Sequence, residues 1–266
     1  MISFIGAGPG AADLLTLRGA KLLAEADVVI WAASLVSKDV LAHCKPSAEI
    51  HDSKSMTFEE ITSVFEAHPD ASIARLHSGD PSVYGAISSQ IGWCVDHHRP
   101  YEIVPGVSSL GAAAAAVGRE LTVPGVSQSV VMTRLAHRTK ASMPPGEGVA
   151  QFAQHGATMA VFLSAARPEE LQEELLGIES RYSADTPAVI AWKVTWPDEK
   201  LVHTTVGGLA GEIRSLGART TVLVLIGQVL GDPDAGRPQG ARHAHVYAAG
   251  YAHSFRGAGN GSAASG

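Results

Sequence analysis

Over roughly the first 118 residues, short apolar runs alternate with stretches whose apolar positions recur at helical spacing. Ile2 to Ile5, Val28 to Trp31, Ile73 to Leu76 and Glu102 to Val104 read as strands, and segments near 12–25, 57–67, 83–95 and 107–117 as helices. That alternation predicts βαβ units and a mostly parallel sheet covered by helices, whose loops at the carboxyl ends of the strands are free to build a site. The turn-rich stretch Gly118 to Gly125, with Pro124, reads as a boundary. Beyond it Ser127 to Thr133, Thr158 to Leu163, Ala188 to Lys193, Lys200 to Thr205 and Thr221 to Ile226 read as strands. Two of these flank Trp196-Pro-Asp-Glu199 like a hairpin, so antiparallel pairing and a mixed sheet are expected. The chain is therefore read as two α/β domains, 1–118 and 119–232. A tail, 233–266, follows; its last part is too poor in core-forming residues to be expected to order.

Three strands of the first half run straight into tight turns: Gly6-Ala-Gly8-Pro9-Gly10, Ser78-Gly79-Asp80-Pro81-Ser82-Val83-Tyr84-Gly85, and Pro105-Gly106-Val107-Ser108-Ser109. Glycine there lets backbone approach a ligand where a Cβ would clash. The first turn invites a dinucleotide reading, but Pro9 removes an N–H where a diphosphate needs one. The second strand also ends in Trp31-Ala-Ala-Ser34 with no acid for a ribose. Asp80 and Pro81 have the order of a helix cap and a first helical residue; alternatively, Gly79 admits a ligand and Asp80 holds its cationic part. Ser108 and Ser109 suit the cap of the alanine-rich helix that follows.

Composition narrows the class. With 266 residues, 45% hydrophobic and 17% charged, there is apolar material for one large domain or two compact α/β domains of ordinary size. No run reaches the roughly 18–20 apolar residues of a membrane span, and no basic region with a long apolar core opens the chain, so a soluble, cytoplasmic protein is expected. Cys44 and Cys94 lack CxxC spacing and are expected to be buried free thiols. A net charge of −6 without a basic cluster argues against nucleic acid as partner. His243 and His245 lie in the polar tail and read as solvated, and no metal site is indicated.

The order and spacing of GAGPG, Leu14-Leu-Thr-Leu-Arg-Gly19, SGDPSVYG and PGVSS resemble the tetrapyrrole methylase family, and the likeness extends through Thr186-Pro187 and Trp196-Pro-Asp-Glu199 to about residue 230. Within it, Ala33-Ser34-Leu35-Val36, Thr133-Arg134, the stretch 193–200 and the tail segment 245–256 are most similar to the branch that methylates a precorrin in cobalamin biosynthesis. The resemblance implies a two-domain α/β enzyme, a homodimer, that holds S-adenosyl-L-methionine in the interdomain cleft beside a small-molecule tetrapyrrole. It also implies the cofactor contacts: Pro9, then Ser78, Gly79, Asp80 and Val83, then Ser108 and Ser109, with Phe162, Leu163, Val194, Thr221 and Val222 from the second domain. Where the wider family often has Gly and Pro-Ala, this chain has Ser78 and Thr221-Val222.

A macrocycle bearing many carboxylates calls for cations and donors, for which Ser34, Lys54, His77, Tyr84, Arg134, Arg138 and Lys193 are candidates, with Trp31, Tyr84 and Met56 available to flank the ring. No nucleophile–base set is evident, and no general base is named; Asp80 alone is a catalytic candidate. Other tetrapyrroles, including uroporphyrinogen III or a cobalt-bearing precorrin, stay open as acceptors. So do an NAD-dependent oxidoreductase and a non-catalytic tetrapyrrole-binding protein.

Overall fold

A computed structural model describes residues 1–135, 140–162 and 165–231, together with 251, 252 and 254. Leu163, Arg138, His243 and His245 lie outside the described residues.

The first half forms a five-stranded sheet from β1 (Ile2–Gly6), β2 (Val28–Trp31), β3 (Glu49–Asp52), β4 (Ile73–His77) and β5 (Tyr101–Val104). Every pairing is parallel, in the order β3-β2-β4-β1-β5. β1 and β4 are buried along their whole length because helices cover both faces. α1 (Leu17–Glu25) packs Leu23 on one face, and α2 (Phe58–Ala67) and α3 (Ser88–Asp96) close the other around Phe4, Ile30 and Phe65. Thr16 caps α1 by accepting the Gly19 N–H, and a reciprocal Thr57/Glu60 capping box starts α2. The sequence reading omitted β3, a four-residue edge strand of mixed polarity whose pairing with β2 only the tertiary fold supplies.

One expected helix is corrected. The stretch 83–95 is helical only from Ser88, because Tyr84 (φ 56°) and Ala86 (φ 51°) lie in the left-handed region. The turn is so tight that a Cβ on Gly85 would sit 2.2 Å from the Pro81 carbonyl oxygen. Asp80 therefore caps a turn and not a helix.

The second sheet joins β6 (Val130–Arg134), β7 (Thr158–Phe162), β8 (Pro187–Trp192), β9 (Lys200–Thr205) and β10 (Val222–Ile226) in the order β6-β7-β10-β8-β9. Only β6–β7 is parallel, so the expected hairpin and mixed sheet are both present. Helices α5 (Val149–Ala153), α6 (Pro168–Leu175) and α7 (Leu209–Leu216), which the sequence reading did not identify, cover one face. On the other face lies α4 (Ser109–Val117), whose Ala112 and Ala113 pack against Ala160, Val189 and Leu225. Small side chains let this helix from the first half lie directly on the second sheet. Trp31 and Met56, both partly buried, pack against the two cores of the first sheet. Cys94 is a buried free thiol and Cys44 only half-buried.

Candidate active site

Because β4, β1 and β5 are adjacent and parallel, their carboxyl ends open on one edge, and the three glycine turns that follow them meet there. Gly8 and Gly79 form an antiparallel bridge, with the Gly79 N–H donating to the Gly8 carbonyl at 2.8 Å. Gly6 and Gly106 pass back to back: a Cβ on Gly106 would lie 2.7 Å from Gly6 Cα and 2.1 Å from the Gly79 oxygen. Asp80 ties two of the turns together. Its Oδ1 accepts the Ser82 N–H at 2.8 Å and its Oδ2 the Gly106 N–H at 2.9 Å.

The first turn has few N–H donors left for a ligand. Ala7 donates to the His77 carbonyl (2.8 Å), Gly8 to that of Gly79 (3.3 Å) and Ala11 to Thr195 Oγ1 (2.9 Å), while Pro9 has none to give. A diphosphate cradle, which needs several free amides, is not built here, and the NAD reading loses its basis. The turn instead receives the tip of the β8–β9 hairpin. Trp196 Nε1 donates to the Pro9 carbonyl at 2.9 Å, and a Cβ on Gly10 would stand 2.3 Å from the indole Cδ1. The Trp196-Pro-Asp-Glu199 segment is thus both a hairpin turn and the clasp between the two halves.

On the facing side, β10 runs antiparallel to both β7 and β8, so the start of β10 lies beside their ends, with Val222 opposite Trp192 and Leu223 opposite Phe162. Lys193 and Thr221, both left-handed (φ 50° and 57°), are joined by the Lys193 N–H to the Thr221 carbonyl at 3.0 Å. Strain of this kind persists where surrounding contacts hold it. Tyr84 crosses the gap to meet the Phe162 ring at 5.2 Å between centroids.

Between these surfaces lies a cavity of about 280 Å³. Every described residue expected to contact the cofactor lines it: Pro9, Ser78, Gly79, Asp80, Val83, Ser108, Ser109, Phe162, Val194, Thr221 and Val222. Of the substrate candidates, Tyr84 and Lys193 line it as well. Lys193 is paired with Asp198 and lies over the rings of Trp192 and Trp196; the same pairing holds the Asp198 carboxyl below its ordinary range. Burial pushes the Tyr84 phenol up, opposed by the charge of nearby Arg134.

Other candidates lie elsewhere. Arg134, at the end of β6, donates to Ser142 Oγ at 2.9 Å, and Lys54 is exposed and paired with Asp52 at 3.2 Å. Ser34 is exposed in the turn after β2, beside the lining residue Leu35. His77 is buried under the turn. Desolvation, with the Arg75 charge second, lowers its pKa to about 3, so it is a neutral ring at physiological pH and cannot serve as a cation for a carboxylate. Ser108 Oγ accepts the Leu110 N–H at 3.3 Å, capping α4 as well as lining the cavity. Sequence reasoning missed Arg219 and Thr220, immediately before the expected contact at Thr221, and also Ala165, Ala191 and Leu223. The clue available was adjacency to the start of the last strand.

Glycine turns on one side, an apolar wall on the other and, among the described residues, no nucleophile–base pair between them describe a site that positions two reactants. The chain belongs to the tetrapyrrole (corrin/porphyrin) methylases, whose family model matches residues 1–210. It is 39% identical over 260 residues to a precorrin-4 C(11)-methyltransferase of a Sinorhizobium species, covering 97% of this chain and 99% of that one. Its fold matches the X-ray structure of a cobalamin biosynthetic enzyme, cobalt precorrin-4 methyltransferase, with a TM-score of 0.82 at 42% identity, over 87% of this chain and 96% of the other. A uroporphyrin-III C-methyltransferase from Thermus thermophilus, crystallised with S-adenosylhomocysteine, matches at a TM-score of 0.71 and 28% identity, over 86% and 98%.

Proposed function

We propose that the protein transfers a methyl group from S-adenosyl-L-methionine to C-11 of precorrin-4, giving precorrin-5 in corrin ring synthesis. The observation that carries this reading is the convergence of the expected cofactor contacts, scattered from Pro9 to Val222, on one cavity. The cavity suits that cofactor chemically. Gly79 (φ 64°) lines the cavity with bare backbone in a left-handed conformation that a side chain would strain. Val83, Phe162, Val194, Val222 and Leu223 offer an apolar wall for a heterocycle.

The cofactor supplies an already activated methyl on a sulfonium, so the chain needs no nucleophile of its own. Its residues position and exclude water. The glycine turns fix one end of the ligand, the Trp196 clasp sets the spacing of the halves, and Tyr84 with Phe162 spans the cavity. Near-attack positioning can contribute roughly 7–11 kcal/mol to lowering a barrier. Asp80, with both carboxylate oxygens engaged by backbone N–H groups, holds the turns in place, and its carboxylate would not need to grip the sulfonium. That favours transfer, because the positive charge is lost in the reaction. Of the candidates for the substrate carboxylates, Tyr84 and Lys193 line the cavity and are assigned that role, whereas Ser34, Lys54 and Arg134 lie outside it and could meet only those side chains of the macrocycle that extend beyond it.

In this reading 1–118 and 119–232 are the two halves that close on the ligands, in a cytoplasmic homodimer; light scattering tests the dimer. Among the described residues no helix is long and apolar enough to cross a membrane. Incubation with isotopically labelled S-adenosylmethionine and trapped precorrin-4, followed by NMR of the product, is expected to place the new methyl on C-11. A methyl on another ring carbon, or transfer only to the cobalt-bearing macrocycle, would redirect the assignment within the family.

A further inference from the structure

The charged side chains lining the cavity are Asp80, Lys193 and Arg219, and two of them are already satisfied. Asp80 is held by two backbone N–H groups, and Lys193 by Asp198 and two indole rings. Arg219 differs. It is exposed on the lining, and among the described residues its guanidinium has no hydrogen-bond or ion-pair partner. Its backbone is set by the neighbouring left-handed Thr221, whose carbonyl accepts the Lys193 N–H, so the approach to β10 is anchored while the side chain is unengaged. An unpaired guanidinium at a cavity whose other charges cancel leaves the lining net cationic at that point. Its planar fork matches a carboxylate in a bidentate contact that an ammonium cannot reproduce.

We infer that Arg219 is a positioning residue that binds a carboxylate of one of the two ligands. This rests on the reading above, in which both ligands carry one: the amino-acid end of the cofactor and the acidic side chains of the macrocycle. The carboxylate is fixed against Arg219 without any change of protonation, so the contact orients the ligand and takes no part in bond making.

The test compares the wild type with R219A and R219K, each checked for an unchanged melting temperature, which is expected for an exposed side chain. Three probes are titrated: S-adenosylhomocysteine, which has the amino-acid carboxylate; 5′-methylthioadenosine, which lacks it; and uroporphyrin, a stable polycarboxylate tetrapyrrole. If the cofactor carboxylate is the partner, R219A weakens S-adenosylhomocysteine about tenfold, leaves methylthioadenosine unchanged and leaves uroporphyrin unchanged. If the macrocycle supplies it, uroporphyrin weakens about tenfold, with a shallower salt dependence, and both nucleosides bind as before. R219K, charged but without the fork, falls between wild type and R219A in either case. The inference is overturned if R219A binds S-adenosylhomocysteine and uroporphyrin within twofold of wild type. It is also overturned if methylthioadenosine weakens as much as S-adenosylhomocysteine, which would mean stacking on the adenine, or if all three probes weaken together. A wild-type protein that binds uroporphyrin and no nucleoside would refute the cofactor reading while the macrocycle arm still decides the role of Arg219; binding of neither probe would end both.

Discussion

Gly106→Ala puts the meeting of the three turns under direct strain. The added Cβ would stand 2.1 Å from the Gly79 carbonyl oxygen and 2.7 Å from Gly6 Cα, all of it backbone that no rotamer change can clear. Restoring an ordinary contact of 3.4 Å requires the third turn to move about 1.3 Å from the second. That shift breaks the 2.9 Å bond from the Gly106 N–H to Asp80 Oδ2. Overpacking costs roughly 1–3 kcal/mol, and losing a hydrogen bond to a charged group about 1.5–3 kcal/mol more, so about 2.5–6 kcal/mol is expected in all. Displacement of this size at a positioning site can also slow the reaction about 100-fold. Gly111→Ala is the matched control: it lies in α4 with nothing within 4 Å of a new Cβ, and should be neutral or stabilise by up to about 1 kcal/mol. Denaturant melts measure the first effect and the rate of methyl transfer the second, and calorimetry with S-adenosylhomocysteine reports whether the displaced turns still hold the ligand. If G106A melts like wild type and binds that ligand within twofold, the turns are not in the contact described and the reasoning fails.

The remaining expectations concern single contacts. D80N presents an amide N–H₂ to one of the two backbone donors that Asp80 now accepts, so S-adenosylhomocysteine should bind about tenfold more weakly; unchanged affinity would show that tying the two turns together does not shape the site. W196F deletes the donor to the Pro9 carbonyl and should cost about 1 kcal/mol in urea unfolding, with a wild-type midpoint as the refuting result. His77 predicts acid sensitivity. Its folded pKa of about 3 lies below the ordinary 6.5, so between those values the unfolded chain binds a proton that the native protein refuses. Stability is then lost as pH falls through that window, by about 1.4 kcal/mol per unit, and H77Q should flatten that slope when melts are compared at pH 6 and pH 4. Parallel slopes would show that the ring is not buried and neutral.

Much of the site was legible because its constraints are local. A glycine after a strand marks a place where backbone must come close, and the three turns around Gly8, Gly79 and Gly106 carried that mark in their own residues. Arg219 and Thr220 had no such mark: an arginine before a strand looks the same whether it faces water or a cavity. His77 misled because its type suggests charge, and only its burial beside Arg75 reveals a neutral ring. The helix expected across 83–95 began late because a left-handed Tyr84 cannot be read from apolar spacing. β3 was missed because an edge strand of four mixed residues has almost no periodicity to show.

By itself the sequence determined nine of the ten strands among the described residues, all but the edge strand β3, which turns must be bare of side chains, and the βαβ alternation that makes the first sheet parallel. Strand order was decided only in three dimensions. That β4, β1 and β5 are neighbours, and that the Trp196 hairpin reaches back to Pro9 across 187 positions, follows from which apolar faces can be buried together. Periodicity records the propensity of each segment, whereas the choice of neighbours depends on the burial of all segments at once, and the cavity exists only after that choice is made.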